Sequence, residues 1–162
     1  MSNRFTRPGL SVDAARIAEI YNQGMADRTA TFETETRSAA DIRRWFDLGY
    51  PVFVAGKDDE IMAYAVAFPY RARACYEGVR EFSVYVARDG REKGFGRAAM
   101  QALIADCQAR GWWKLLSRVF PENAASRKLL SSLGFREVGV YEKHGRLDGQ
   151  WRDVVIVEKL LI

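Results

Sequence analysis

Val84-Tyr85-Val86-Ala87-Arg88-Asp89-Gly90-Arg91-Glu92-Lys93-Gly94-Phe95-Gly96-Arg97 is the stretch that decides the fold. A β-branched and aromatic run ends at Ala87, glycines punctuate a basic loop, and an apolar helical pattern begins after Gly94. Glycines there let the backbone come close to a ligand, and the first N–H groups of a helix have no intrahelical partner. Such a loop is an anion site by construction. Arg88, Arg91, Lys93 and Arg97 place four cations around it, and a pyrophosphate fits this chemistry.

Three readings of the loop compete. Gly94-Phe95-Gly96-Arg97-Ala98-Ala99 nominally matches the dinucleotide pattern G-x-G-x-x-G/A. That pattern belongs at the first tight turn of a βαβ unit, with an acid about 20 residues on. Here a basic loop precedes Gly94, Asp106 falls inside the helix, and Glu122 lies too far downstream. The second reading is a glycine-rich helix start with no ligand. The third takes Arg91 through Gly96 as R-x-x-G-x-G.

Outward from the loop, the elements alternate. Downstream, a long helix spans about Gly94–Arg110, with Met100, Leu103, Ile104 and Cys107 on one face and Gly111 as its stop. Lys114–Phe120 reads as a strand and Asn123–Leu133 as a helix stopped by Gly134. Phe135–Tyr141 and Trp151–Leu161 read as a closing antiparallel pair, with a turn at Asp148-Gly149 and a turn-like stretch around His144. Upstream, Val79–Ala87 is a strand, and Val52–Ala55 with Ile61–Phe68 form a hairpin about Lys57-Asp58-Asp59-Glu60. Ser11 is placed to cap a helix over Val12–Gln23, ended by Gly24. Ser38 with Asp41 forms a capping-box start for a second helix ending near Gly49. The pattern predicts a mixed α/β (α+β) fold, a mostly antiparallel twisted sheet with helices on both faces.

Length and composition narrow the function. At 162 residues the chain is expected to form one domain over 1–162. The single His, His144, excludes an HExxH zinc site, and Cys75 and Cys107 form no CxxC pair. No metal is expected. The net charge of +4 rests on nineteen Arg and six Lys, and Arg's planar fork favours an anionic ligand. Met1–Leu10 is polar and carries no apolar signal core, and no run approaches ~18 apolar residues. A cytoplasmic protein with reduced thiols and no membrane partner is the expectation. The basic, aromatic stretch Tyr70–Tyr76 raises nucleic-acid binding as a rival, but no basic helix stripe supports it. No nucleic-acid partner is expected.

Several motifs together resemble the GNAT superfamily of N-acetyltransferases. They are Arg91–Gly96, then Asn123-Ala124-Ala125-Ser126 through Leu133-Gly134-Phe135. Ile20-Tyr21-Asn22, Thr29–Thr34, Arg80–Val86 and Gly145–Asp153 narrow the likeness to the phosphinothricin N-acetyltransferase branch. Pro69–Tyr76 and Lys143–Gly149 are most similar to its arsinothricin-resistance members. The resemblance implies a GNAT-like fold, acetyl-CoA as cosubstrate, and a homodimer. It implies acetylation of the α-amine of a glutamate-like toxin such as arsinothricin or phosphinothricin, with methionine sulfoximine a further candidate, conferring resistance. Another small amine, or a protein or peptide amine, is the alternative substrate.

Amine acetylation requires a proton acceptor, an aligned amine and donors for the developing oxyanion. Glu81 is the expected catalytic residue. It shares a strand face with Ser83 and Tyr85 and lies ~13 Å of extended strand upstream of Tyr85. The pattern alone leaves a solvent-facing Glu81 open; the resemblance puts the general base there. The resemblance also implies that Val84, Val86, Arg91, Lys93, Gly94, Phe95, Gly96, Arg97, Asn123 and Ser126 bind acetyl-CoA. Arg73 with Tyr76 is expected to hold the anionic substrate, with Thr31 and Phe32 lining the pocket; a solvated basic edge is the alternative for Arg73. The likeness breaks at Leu130, where many relatives have a Tyr acid, leaving Tyr141 and Tyr85 as stand-ins. It breaks again at Asp148, which occupies the place of a pocket His and leaves His144 without a matched role.

Overall fold

A computed structural model describes residues 3–162; Met1 and Ser2, where the one-domain and N-terminal readings begin, lie outside the described residues. Seven strands form one sheet in the order β1-β2-β3-β4-β5-β7-β6. They are β1 (Arg4–Pro8), β2 (Val52–Lys57), β3 (Glu60–Pro69), β4 (Val79–Val86), β5 (Lys114–Val119), β6 (Arg136–Leu147) and β7 (Gln150–Leu160). The helices are α1 (Ala14–Ala26), α2 (Ala39–Asp47), α3 (Phe95–Ala109) and α4 (Ala124–Ser132). Every neighbouring pair of strands is antiparallel except β4 and β5. The expected mixed, mostly antiparallel sheet is therefore what the chain forms.

The β3–β4 register sorts the faces. Tyr64 lies opposite Tyr85, Val66 opposite Ser83 and Phe68 opposite Glu81. Opposed residues project to the same side of a sheet. On that side α1 brings Tyr21 against Tyr85, with ring centroids 5.5 Å apart, and α2 brings Trp45 against Tyr64 and Phe68. On the other side Gly96 of α3 lies against Val86 and Val84, and Phe135 packs on Phe82. Helices thus cover both faces, and one apolar cluster runs through both layers.

Local chemistry explains most boundaries. The Ser38 side chain accepts from the Asp41 N–H while Asp41 accepts from the Ser38 N–H, so the capping box starts α2 as expected. Asp58 and Asp59 both have positive φ, as do Asp148 and Gly149, which gives two tight hairpin turns. Gly111 at φ 81° ends α3.

Four local expectations are corrected. Ser11 opens only a short 3-10 turn; Asp13 organises the start of α1, accepting from the Arg7 guanidinium at 2.7 Å and the Leu10 N–H. Gly24 does not stop α1 but lies inside it, buried, because any Cβ there would meet the Tyr85 ring at 2.6 Å. The stretch around His144 is not a turn: β6 continues to Leu147, and a bulge between Tyr141 and Gly145 absorbs the extra residues. The Lys143 N–H donates to Asp153 Oδ1 there, at 2.7 Å. Finally, Arg4–Pro8 adds an edge strand on β2 that the alternation of basic and small residues did not announce. Among the described residues no helix is long and apolar enough to cross a membrane.

Candidate active site

The site begins where the sheet divides. β4 and β5 pair only over Val79–Glu81 with Lys114–Leu116, although both strands run on. Glu81 is the last β4 residue in that ladder. Beyond it, the Ser117 hydroxyl donates to the Phe82 carbonyl at 2.9 Å, and the strands part. A narrow cleft of about 70 Å³ opens between them, lined by Ser83, Val84, Tyr85, Asn123, Ser126 and Leu130. The edge of β4 facing it carries backbone groups that β5 does not pair.

Glu81 looks into a second, larger cavity of about 250 Å³. Its apolar wall is Phe32, Phe68, Phe120 and Val154; its polar wall is Thr31, Ser83, Ser117 and Arg118. Phe32 packs edge-on against Phe120, centroids 4.9 Å apart, and rests on Gly145, where a Cβ would stand 3.0 Å from its ring. That close approach accounts for the glycine. The Arg118 guanidinium stands 3.4 Å from Glu81 Oε1. Burial pushes the Tyr85 phenol up to about 12, against the opposite pull of its hydrogen bond with Thr31, so it keeps its proton at neutral pH.

The loop bearing Thr31 and Phe32 is fastened on its N-terminal side. Arg28 pairs with Asp148 at 3.1 Å, and the Asn123 amide donates to the Thr29 carbonyl at 3.2 Å. The same Asn123 caps α4, accepting from the Ser126 N–H. Asn123 and Ser126 therefore border the cleft through a cap shared with the substrate-side loop.

At the far end of β4 the glycine-rich loop turns into α3. Gly94 adopts φ 88°, and no side chain caps the helix among the described residues. A Cβ at Gly96 would stand 2.9 Å from Val86, so only glycine lets the first turn lie this close to β4. Phe95 is buried and offers only its backbone. The cations are held in place: Arg88 and Arg91 both bind Asp27, at 2.8 and 2.6 Å, Lys93 donates to the Asp89 carbonyl, and Arg97 to the Ser132 hydroxyl. Those hydrogen bonds, Arg88's foremost, hold the Asp27 carboxyl below its ordinary value. Arg4, from the unannounced β1, donates to the Lys93 carbonyl and stacks on Phe95, 4.4 Å from its ring centre.

The uncapped helix start, the tight glycine at position 96, four cations and the unpaired β4 edge suit a long ligand with an anionic end and amide groups. Acetyl-CoA is such a ligand. Arg91, Lys93, Gly94, Phe95, Gly96 and Arg97 gather at the loop, and Val84, Asn123 and Ser126 line the cleft; Val86 lies outside its lining and packs on Gly96.

Thr31, Phe32 and Glu81 are brought together around the larger cavity. Arg73 and Tyr76 stand apart from its lining: Arg73 is exposed before a short 3-10 turn, and Tyr76 packs on Tyr70. Arg71 stacks on Tyr70, 4.8 Å from its ring centre; Tyr70 first, and the charge of Glu81 after it, raise its guanidinium. His144 is exposed beside Tyr141, and neither lines the cavity. Leu130 is buried in the cleft wall, so no proton donor stands there. The Cys107 thiol, pushed up to about 12 by burial, is packing rather than nucleophile. Among the described residues no cluster of His, Cys, Asp and Glu could hold a metal ion. Sequence reasoning missed Arg118, Arg4 and Asp27, whose positions depend on contacts distant in the chain.

Comparison with known proteins gives a consistent result. Residues 17–135 match the acetyltransferase (GNAT) family. The chain is 34% identical over 154 residues to the phosphinothricin N-acetyltransferase of Alcaligenes faecalis, covering 92% of this chain and 78% of that one. It is 33% identical over 151 residues to the L-methionine sulfoximine/L-methionine sulfone acetyltransferase of Pseudomonas aeruginosa, covering 90% and 88%. The solved structure of a GNAT superfamily phosphinothricin acetyltransferase from Sinorhizobium meliloti, in complex with acetyl-CoA, superposes with a TM-score of 0.90 at 28% identity, covering 98% and 88%.

Proposed function

The chain belongs to the acetyltransferase (GNAT) family and is an N-acetyltransferase, and we propose that it transfers an acetyl group from acetyl-CoA to the α-amine of a glutamate-like amino acid. Phosphinothricin, arsinothricin and methionine sulfoximine are the proposed substrates, and inactivating them would confer resistance. The observation that carries this reading is the position of Glu81, at the point where β4 leaves β5 and on the wall of the larger cavity.

In this scheme Glu81 accepts a proton from the substrate ammonium, directly or through one water. The amine so freed is held between the polar wall at Thr31, Ser83 and Ser117 and the ring of Phe32. Backbone N–H groups of β4 beyond Glu81, which β5 does not pair, would steady the reacting carbonyl. Arg91, Lys93 and Arg97, with the first turn of α3, hold the phosphates of the cosubstrate. Acetyl-CoA, when bound, supplies an acetyl group whose bond to sulfur is exchanged for one to the amine nitrogen, CoA leaving as the thiol. A thiol is an acceptable leaving group, so the proton can come from water where Leu130 offers none.

Arg73, with Tyr76, is proposed to meet the oxoanion head at the cavity mouth. A cytoplasmic location, where thiols stay reduced, suits exposed Cys75 and buried Cys107, both unpaired. A homodimer suits the outer strand β6, where Val138, Val140 and Tyr141 are exposed together with Trp151 of β7. Light scattering showing a dimer supports that assembly, and a monomer at micromolar concentration refutes it.

The test of the reaction is CoA-thiol release from acetyl-CoA with phosphinothricin, arsinothricin, methionine sulfoximine and a lysine-containing peptide. Release with at least one amino acid and not with the peptide is expected. Release with the peptide alone moves the substrate to a protein amine.

A further inference from the structure

Glu81 and Arg118 are the only anion and the only cation among the described residues that line the 250 Å³ cavity. Arg118 comes from β5 just past its last pairing with β4, so the division of the sheet sets it beside Glu81. The 3.4 Å between them is longer than the roughly 2.7–2.9 Å of a strong charge-assisted hydrogen bond. Among the described residues the Arg118 guanidinium donates to no other protein group, so its fork is free for an anion. Other cations of this region are engaged elsewhere. Arg28 holds Asp148, Arg152 holds Glu122 and stacks on Phe120, and Arg71 stacks on Tyr70 outside the cavity lining.

In a free α-amino acid the amine nitrogen and the carboxyl carbon are separated by one α-carbon, about 2.5 Å apart. An ammonium seated on Glu81 therefore carries its α-carboxylate to a point next to Arg118. The two side chains stand one amino-acid headgroup apart and bear the complementary charges. Arg presents a planar fork that takes a carboxylate in bidentate fashion. We infer that Arg118 is the residue that recognises the substrate's α-carboxylate and makes the site selective for free α-amino acids. The inference rests on the proposed acetylation of an α-amine. It assigns to Arg118 a role distinct from that of Arg73, which meets the other anionic end. A lysine side chain has no carboxylate beside its amine, and a peptide N-terminus has a neutral carbonyl there; neither satisfies the fork.

The test compares phosphinothricin with its decarboxylated amine, 3-aminopropyl(methyl)phosphinic acid, which keeps the head and the amine. The wild-type protein is expected to prefer the amino acid by about 10- to 100-fold in kcat/KM, the range of hydrogen bonds to a charged group. Arg118→Gln is expected to remove that preference by raising KM for the amino acid alone, leaving the amine within about threefold. Equal losses on both substrates, or a retained preference, overturn the assignment. Melting temperature and CoA binding report whether the variant folds. Should it not, Arg118→Lys keeps the charge but loses the fork, and is read the same way: a narrowed preference supports the role and an unchanged one overturns it. Calorimetric titration of phosphinothricin into the protein, alone and saturated with CoA, reads the contact without turnover. A wild-type protein that acetylates no amino acid sinks the proposed function. In that event binding that weakens at least tenfold in Arg118→Gln still supports the contact, and binding that is absent or unchanged overturns it.

Discussion

The two ends of β4 are built on opposite plans. At the loop end every cation already has a partner: Asp27 holds Arg88 and Arg91, a backbone carbonyl holds Lys93, a hydroxyl holds Arg97, and Arg4 braces the loop from β1. At the cavity end Glu81 and Arg118 face each other across 3.4 Å with no tighter contact between them. The first arrangement suits a ligand that is the same in every turnover, because prior ordering of side chains lowers the entropic cost of binding. The second suits groups that must change partners during the reaction. Under the proposed function, a fixed site and a reacting site thus occupy one strand, separated by the part of it that β5 has left.

The strongest way to break this comparison is at Glu81. Glu81→Gln is expected to lower kcat at neutral pH by about 10²–10⁴-fold while acetyl-CoA binds unchanged. Steady-state turnover alongside equilibrium binding measures both, and unimpaired turnover removes Glu81 as the base. Next in size is Gly24→Ala, which touches the structure common to both ends. Its Cβ would press on the Tyr85 ring at 2.6 Å, and the expected loss is about 1–3 kcal/mol of stability, read by urea denaturation. An unchanged midpoint would mean that α1 shifts freely over β4.

Arg91→Ala should raise KM for acetyl-CoA about tenfold and leave the amino-acid KM within about twofold. Arg73→Ala should do the reverse, and an acetyl-CoA defect there would move Arg73 to the loop end. The smallest effect concerns Asp27. Its carboxyl is depressed below 3.8 in the folded protein, so its contribution is complete above that value and fades as pH falls through the folded one. Asp27→Asn should therefore flatten the acid limb of the profile of unfolding free energy against pH, read by urea denaturation, by less than about 1 kcal/mol, discounted for partial exposure. A variant whose profile matches the wild type would show that the Asp27 ion pairs are not part of the loop's rigidity.

Legibility followed locality. The Ser38 capping box and the turns at Asp58-Asp59 and Asp148-Gly149 were readable because their chemistry is complete within four residues. In the loop from Arg91 to Gly96 the glycines and the helix start were readable, but not the partners that hold its cations, Asp27 and Arg4. Gly24 misled because its propensity to end a helix is overridden by the ring packed against it. β1 was hidden because one inward Phe5 among charged and small residues makes a weak strand pattern, and its pairing comes from β2. Glu81, which the strand pattern and the resemblance singled out, does line the larger cavity. Arg118 was not singled out, since nothing in Ser117-Arg118-Val119 says that β5 will swing away from β4 and leave that guanidinium beside a carboxylate.

That divergence has one more consequence. A strand edge with free N–H and carbonyl groups is an invitation to other chains, and proteins usually defend it. The outer edge at β1 carries Arg4, Arg7 and Pro8, charges and a proline that discourage pairing. The free edge of β4 needs no such guard. It lies in the middle of the sheet, with β3 on one side and β5 on the other. With strands on both sides, it is not an outer edge on which a second sheet can grow, so the molecule keeps unpaired backbone on offer where only a slender ligand reaches it.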